Sequence, residues 1–321
     1  MPRCKFAAWL ARPGSRVAVM GASGWVGMAL TEQILATDPD LAPDRLRLFG
    51  SAARPFFLRG RELRIEALDG ASGLGEGDWL ILHAGIVGAD RVQDGDLDVV
   101  RQRNDAMLRQ VMALAETGAT DRLVFFSSGA AARPEVGGPA KQAYARMKRD
   151  HEAQVATWSQ RTGGPVLIPR VFNLGGPFIN HAEAYALGDF ILQCAHQGRI
   201  RIGSGDRVSR SFVHVAEMAR GVLDMAVDPD ETGEPFDVCL DRIVELDDLA
   251  GAVSKAVNPA TIVERPSRTE GPGDDYRGAG DRFRKALAWQ GAPEVSLDQI
   301  VADTVRYLRE TGAIPPAMAA A

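Results

Sequence analysis

Tyr144 and Lys148 stand four residues apart in a stretch of helical spacing, 141 to 162, so both side chains lie on one face of a helix. A tyrosine hydroxyl with a pKa of about 10 is a poor base at neutral pH, but a neighbouring ammonium group favours its phenolate. Such a pair can pass a proton to or from a substrate oxygen. Ser127 and Ser128 follow the apolar run Leu123 to Phe126. A serine at the carboxyl end of a buried strand stands where ligands bind in an open α/β sheet, within reach of the same oxygen. Taken singly, a Tyr/Lys pair often decorates a surface helix and a Ser-Ser pair often makes a turn. Their meaning comes from the elements that position them.

The first of these is RVAVMGASGWVG, Arg16 to Gly27. Val17 to Met20 form an apolar run suited to a buried parallel strand, and Gly21, Gly24 and Gly27 follow just before a helical pattern. In such a turn the first glycine permits the bend, the second lets the main chain approach a pyrophosphate, and the third lets helix and strand pack closely. The helix start adds free N–H groups and a positive dipole end. The spacing is G-x-x-G-x-x-G, and a turn without a ligand is its alternative reading. Joined to the Tyr/Lys pair, it points to redox chemistry on a bound nicotinamide.

Strand-length apolar runs near 16–20, 46–50, 79–83, 122–127, 166–172 and 235–239 alternate with helical stretches near 25–36, 98–117, 141–162, 183–197, 215–227, 246–256 and 296–310. That alternation predicts a doubly wound α/β fold, a parallel sheet with helices on both faces. The pattern becomes irregular after Gly176, and the Pro/Gly/Arg-rich stretch 264–282 reads as a long connection. We therefore expect a dinucleotide-binding Rossmann domain over 1–175 plus about 212–240, and a smaller C-terminal substrate-binding lobe over 176–211 and 241–321.

The 321 residues, 45% of them hydrophobic, can bury a sizeable core. A formal charge of -5 leaves no basic footprint for nucleic acid, and no run of about 18 apolar residues predicts a membrane span. The segment FAAWLA is short for a secretory signal, so a cytoplasmic location is expected. Cys4, Cys194 and Cys239 are widely spaced and lack metal-ligand companions, so reduced thiols and no metal are expected.

In these residues the chain resembles the extended short-chain dehydrogenase/reductase family, in its nucleotide-sugar epimerase, dehydratase and reductase branch. The resemblance runs from Val17 to about Leu287 and rests on five motifs in order: GASGWVG from Gly21 to Gly27, Ser127–Ser128, YARMK from Tyr144 to Lys148, RVFNLGGP from Arg170 to Pro177, and SRSFVHV from Ser209 to Val215. It implies a Ser128/Tyr144/Lys148 triad, with Tyr144 as acid/base and Lys148 holding the nicotinamide ribose. Gly21, Ser23, Gly24, Trp25, Val26 and Gly27 would cradle the cofactor, with His83, Ala84 and Gly85 passing beside it. Ser127, Asn173 and Arg210 would meet the substrate, the last two at its diphosphate. For Arg210 a structural salt bridge is the alternative. The resemblance also implies a homodimer paired through helices 98–117 and 141–162.

The departures narrow the reaction. Where the family often reads S-S-x-x-x-Y-G, the chain has Ala132 and Arg133, which removes a pocket aromatic. Gly129 and Ala130 stand where dehydratases of the branch carry an Asp-Glu pair, which argues against elimination of water. No cysteine closely follows Ser128. A late R-P-G-D motif is present as GPGD, Gly271 to Asp274, leaving Arg265, Arg268 or Arg277 as candidate replacements for its arginine.

After the second strand, Ser51 and Arg54 replace the acidic residue that hydrogen-bonds the ribose 2′-OH in NAD readers, and both offer donors to a 2′-phosphate. NADP is favoured over NAD, with Arg54 as a loop residue the alternative. Asp69 matches the family's acidic adenine contact or is a turn residue, and His83 has a packing role as its alternative. The expected activity is a 4-ketoreductase acting on a nucleotide-linked 4-keto-6-deoxy sugar. A nucleotide-sugar epimerase with tightly bound NAD, and a non-catalytic NADP-binding sensor or scaffold, are the alternatives. Aspartate-semialdehyde dehydrogenase shares the glycine turn and the Ser/Arg pair, but no cysteine here sits in a suitable nucleophile segment.

Overall fold

The computed structural model describes residues 4–69, 71, 73–88, 95–268 and 273–316. In chain order the strands are β1 Ser15–Met20, β2 Leu46–Gly50, β3 Arg54–Leu58, β4 Arg61–Ala67, β5 Asp78–His83, β6 Ala119–Phe125, β7 Ser127–Ser128, β8 Val166–Leu167, β9 Pro169–Val171, β10 Asn173–Gly175, β11 Arg199–Arg201, β12 Val208–Arg210, β13 Phe212–His214, β14 Phe236–Val238, β15 Val244–Glu245, β16 Ile262–Glu264 and β17 Asp274–Tyr276. The helices are α1 Lys5–Leu10, α2 Trp25–Thr37, α3 Leu97–Ala115, α4 Pro139–Thr162, α5 Ala186–Gln197, α6 Val215–Ala226, α7 Leu246–Val257, α8 Asp281–Gln290 and α9 Leu297–Glu310.

Alternation along β1 sets the layers. Val17 and Val19 face one side and pack with Leu30 and Ile34 of α2, while Ala18 and Met20 face the other, among Leu108 and Val111 of α3 and Val155 and Trp158 of α4. Side chains of a strand alternate across its sheet, so a strand that is apolar at every position needs helices on both faces. The sheet order is β3-β4-β2-β1-β5-β6-β8. Every pairing is parallel except the edge hairpin of β3 with β4. Leaving β3 aside, the order 3-2-1-4-5-6 of the parallel strands is that of a Rossmann sheet, whose strand order reverses between β1 and β5 and opens a ligand crevice there.

The sheet continues past its last strands. Ser127–Ser128 pair with Arg170–Val171, and Pro169–Val171 pair with Phe236–Val238, in a three-stranded extension ordered β14-β9-β7. The apolar run expected at 235–239 therefore joins this extension rather than the main sheet. The hairpin β3–β4, outside the expected strand-length runs, turns at Arg59 and Gly60, both with positive φ. The stretch 264–282, expected as one connection, contains β17, which pairs in parallel with β12 so that Arg210 stands opposite Tyr276. Three residues carry no periodic signal, and only the partner strand makes them a strand. In the C-terminal part, α5, α7 and α9 bury Leu187, Ile191, Leu249, Val253, Ile300 and Val305 in one core continuous with that under α2.

Candidate active site

The cofactor turn is shaped by two glycines. Gly21 has φ +82, and a Cβ there would lie 2.6 Å from the Gly85 nitrogen, so β1 and the end of β5 approach as only glycine allows. At Gly27 a Cβ would run into the Gly21 carbonyl oxygen and lie 2.8 Å from the Ala22 Cα, which seats α2 against the turn. Gly24 is the N-cap of α2, and no side chain caps that end. The first turn of α2 also holds no acidic residue. Its free N–H groups and dipole face the crevice between β1 and β5, a cradle suited to the pyrophosphate of a dinucleotide. Ser23 and Val26 lie partly exposed along this turn. Trp25 is buried and donates its indole N–H to the Pro177 carbonyl (2.8 Å), tying the turn to the start of the C-terminal lobe.

The residues of the expected triad gather at the carboxyl ends of β6 and β7. Helix α4 begins with proline at its first position, and its length brings Tyr144 and Lys148 beneath that end. Lys148 is 6% exposed and donates to the Phe126 carbonyl (2.9 Å). Burial pulls its ammonium down to about 8. Tyr144 is partly buried. Its hydroxyl is pushed up to about 12 by burial, a rise that the nearby Ser128 hydroxyl partly opposes. The expectation that an adjacent ammonium favours the phenolate therefore does not describe the site as it stands: Lys148 is turned to a carbonyl, and Tyr144 is a neutral proton donor. Ser128 accepts from the Ala130 N–H (3.2 Å), which fixes the short 3-10 turn Gly129–Ala132.

Ser127 takes a different part from the one expected. It is buried, and its hydroxyl donates to Glu152 Oε1 of α4 (2.5 Å). Both Glu152 oxygens also accept from Arg170 (2.9 and 2.7 Å). Successive strand residues point to opposite faces, so only one serine of the pair can face the crevice, and Ser128 does. Asn173 donates to the Ser211 carbonyl (3.1 Å) across the β10–β13 pair. Arg210 is engaged by Asp274 through its carboxylate (2.6 Å) and carbonyl (3.0 Å), the salt bridge held open as its alternative. Arg265 and Arg268 both pair with Asp247, and Arg277 pairs with Asp275. Gly271, the first residue of GPGD, lies outside the described residues.

At the edge of the crevice, Ser51 and Arg54 are exposed, and Arg54 makes no ion pair with the described residues. Asp69 accepts from Gln110 of α3 (3.3 Å). His83 is buried, and its titration falls to about 3 through burial and the charges of Lys148 and His151. The Ala84 N–H bonds the Met20 carbonyl (3.0 Å), holding Ala84 and Gly85 against the cofactor turn.

Two further tyrosines complete the site. Burial raises Tyr276, whose ring lies on Phe172 with centroids 4.9 Å apart. Tyr185 packs edge-on against Trp25 (5.3 Å) and acts electrostatically on Tyr144. Tyrosine is scarce in this sequence, and its occurrence in the Gly/Arg/Asp-rich segment around 276 was the available signal.

The sequence profile described as the NAD dependent epimerase/dehydratase family matches residues 17–239, more than half of the chain. The chain belongs to the NAD-dependent epimerase/dehydratase family. Among curated relatives of this family member, UDP-glucuronic acid decarboxylases 5 and 3 of Arabidopsis thaliana are each 24% identical over 159 residues, 49% of this chain and 45% of theirs. The match thus spans less than half the length of those relatives. Among solved structures, the Bordetella bronchiseptica enzyme WbmF in complex with NADH aligns with a TM-score of 0.73 at 16% identity, over 94% of this chain and 93% of that one. The UDP-glucose 4-epimerase of Thermotoga maritima with UDP-glucose aligns at 0.71 and 14% identity, over 92% and 99%. At such identities the likeness is one of fold. Among the described residues no helix is long and apolar enough to cross a membrane, and no three His, Cys, Asp or Glu side chains gather as a metal site.

Proposed function

We propose that this family member is a nucleotide-sugar oxidoreductase that reduces the 4-keto group of a nucleotide-linked 4-keto-6-deoxy sugar with NADPH. The observation that carries this reading is the meeting of Ser128, Tyr144 and Lys148 beside the glycine cradle. A nicotinamide dinucleotide with its pyrophosphate in that cradle would supply the hydride. Tyr144, neutral below about 12, delivers its proton to the carbonyl oxygen, and Ser128 bonds the same oxygen. Lys148, near 8, holds the ribose and restores the tyrosine. The lack of a carboxylate at Gly129 and Ala130 speaks against elimination of water. Exposed Ser51 and Arg54 suit a 2′-phosphate, which supports NADPH over NADH.

A second reading is a nucleotide-sugar epimerase with tightly held NAD, favoured by the NAD dependence of the family and by neighbours solved with NAD or NADH. In either reading, residues 1–175 with 212–240 hold the nucleotide cofactor, 176–211 with 241–321 hold the sugar nucleotide, and a second copy packs on the α3–α4 face.

Native mass spectrometry followed by NADPH consumption against nucleotide 4-keto sugars tests this. Dimer mass and stoichiometric NADPH oxidation are expected. Retained NAD with sugar isomerisation and no net oxidation would establish the epimerase instead. Tyr144→Phe should leave cofactor binding near normal and lower turnover by roughly two to four powers of ten.

A further inference from the structure

Trp25 belongs to two parts of the molecule at once. It is the first residue of α2 after the Gly24 N-cap, so its backbone N–H is one of the free donors at the pyrophosphate cradle. Its indole, 7% exposed, gives its one N–H to the Pro177 carbonyl (2.8 Å), 152 residues further along the chain. The ring also meets Tyr185, the N-cap residue of α5, edge-on at 5.3 Å. A phenylalanine in this place could pack on Tyr185 but would have no proton for Pro177.

The segment that the indole holds is a strained one. Gly176 and Phe178, on either side of Pro177, both have positive φ, +106 and +71. For glycine this conformation is free, but for phenylalanine it is a costly backbone state that persists only where the surroundings over-determine it. The restraints come from two sides. Thr304 of α9 accepts from the Gly176 N–H (2.7 Å). The buried Phe178 ring packs edge-on against Tyr307 of α9 (5.5 Å), with the Arg59 guanidinium 5.2 Å from its centroid. Trp25 supplies the restraint from the side of the cofactor turn. From here the chain leads into α5, in the part read above as the sugar-nucleotide lobe.

We propose that Trp25 is a positioning residue that couples the two binding sites. A dinucleotide seated on the first turn of α2 fixes the indole, the indole fixes the Pro177 carbonyl, and the lobe that receives the sugar nucleotide is thereby preset. The cost of ordering the strained segment is met when the dinucleotide binds and is not met again by the second ligand. The sugar nucleotide therefore binds more tightly to the loaded chain than to the empty one, and each ligand favours the other by the same factor. One neutral hydrogen bond limits that factor to about threefold to tenfold.

This inference rests on the reading of the site as one for a dinucleotide and a sugar nucleotide, and its test separates the two. Isothermal titration calorimetry measures the binding of UDP, dTDP and GDP to the full chain, empty and saturated with NADP+ or NAD, whichever binds. In the wild type the diphosphate that binds best should do so about threefold to tenfold more tightly to the loaded protein. The dinucleotide should gain by the same factor in its presence. In Trp25→Phe the factor should fall to within about 1.5-fold of unity, whatever happens to either affinity alone. Thr304→Val removes the acceptor at the other end of the segment and should lower the factor as well.

A wild-type factor of one would overturn the proposal. So would a factor undiminished in Trp25→Phe while both affinities fall, which would make Trp25 a packing residue of the turn. Should Trp25→Phe fail to fold, an undiminished factor in Thr304→Val overturns the proposal in its place. No binding of any diphosphate to either form would instead sink the sugar-nucleotide reading, and the coupling with it.

Discussion

The burial of Lys148 has a measurable cost in the folded protein. An unfolded lysine titrates near 10.4, whereas in the folded chain burial pulls Lys148 to about 8. The difference, roughly 2.4 units at about 1.4 kcal/mol each, amounts to about 3 kcal/mol. Below pH 8 both states carry the proton, and the folded state bears the whole penalty. Between 8 and 10.4 the folded state has released the proton that the unfolded state still binds, so stability rises with pH by about 1.4 kcal/mol per unit. Above 10.4 the penalty is gone. Lys148→Met removes this titration and leaves the other groups in place, and loss of the bond to the Phe126 carbonyl adds an offset that varies little with pH. Urea unfolding of nucleotide-free protein, followed by tryptophan fluorescence at each unit from pH 7 to 10, gives the difference between wild type and variant. That difference should move in favour of the wild type by about 2 to 3 kcal/mol across the range, nearly all of it above pH 8. A flat difference would mean that the ammonium is not desolvated, and would refute the account of the site as a buried, weakly compensated cation. Turnover of the variant should be largely lost, so the residue that the site requires is one that destabilises the fold at neutral pH.

Other substitutions probe the cradle and its supports. Gly27→Ala puts a Cβ 2.8 Å from the Ala22 Cα and against the Gly21 carbonyl, backbone atoms with no rotamer to yield. It should cost about 1–3 kcal/mol of stability and weaken nucleotide binding at least about tenfold, read by thermal unfolding and NADPH fluorescence titration. Arg54→Ala should weaken NADPH binding roughly tenfold to a hundredfold while leaving NADH nearly unchanged; equal effects on both would remove the 2′-phosphate assignment. Glu152→Gln strips the charge that pairs with Arg170 and accepts from Ser127, and should lower the urea-unfolding free energy by about 2–4 kcal/mol.

Much of the N-terminal half was legible in the sequence because its signals are local. The run Val17 to Met20, the glycines at 21, 24 and 27, and the four-residue spacing of Tyr144 and Lys148 each report a backbone requirement met within a few residues. The expected strand at 46–50 coincides with β2, and the expected helices near 25–36 and 246–256 lie within a residue of α2 and α7. What escaped was made by distant partners. β17 exists through its pairing with β12, and the hairpin β3–β4 through its place on the edge of β2. Which serine of the pair faces the crevice was settled by Glu152, 25 residues away in sequence, and the occupation of Arg210 by Asp274, 64 residues away.

The sequence by itself determined the fold class, the glycine turn and the Tyr/Lys face of α4, since strand, turn and helix preferences act over a few residues and repeat with fixed periods. The tertiary structure alone decided the protonation of the site and the aromatic packed beside it. Burial depends on which surfaces close over a side chain, and this raised Tyr144 and lowered Lys148 where their spacing had suggested the reverse balance. Tyr276 comes to lie on Phe172, 104 residues away in sequence, because β17 pairs with β12 and Arg133 grips the residues that bracket the tyrosine.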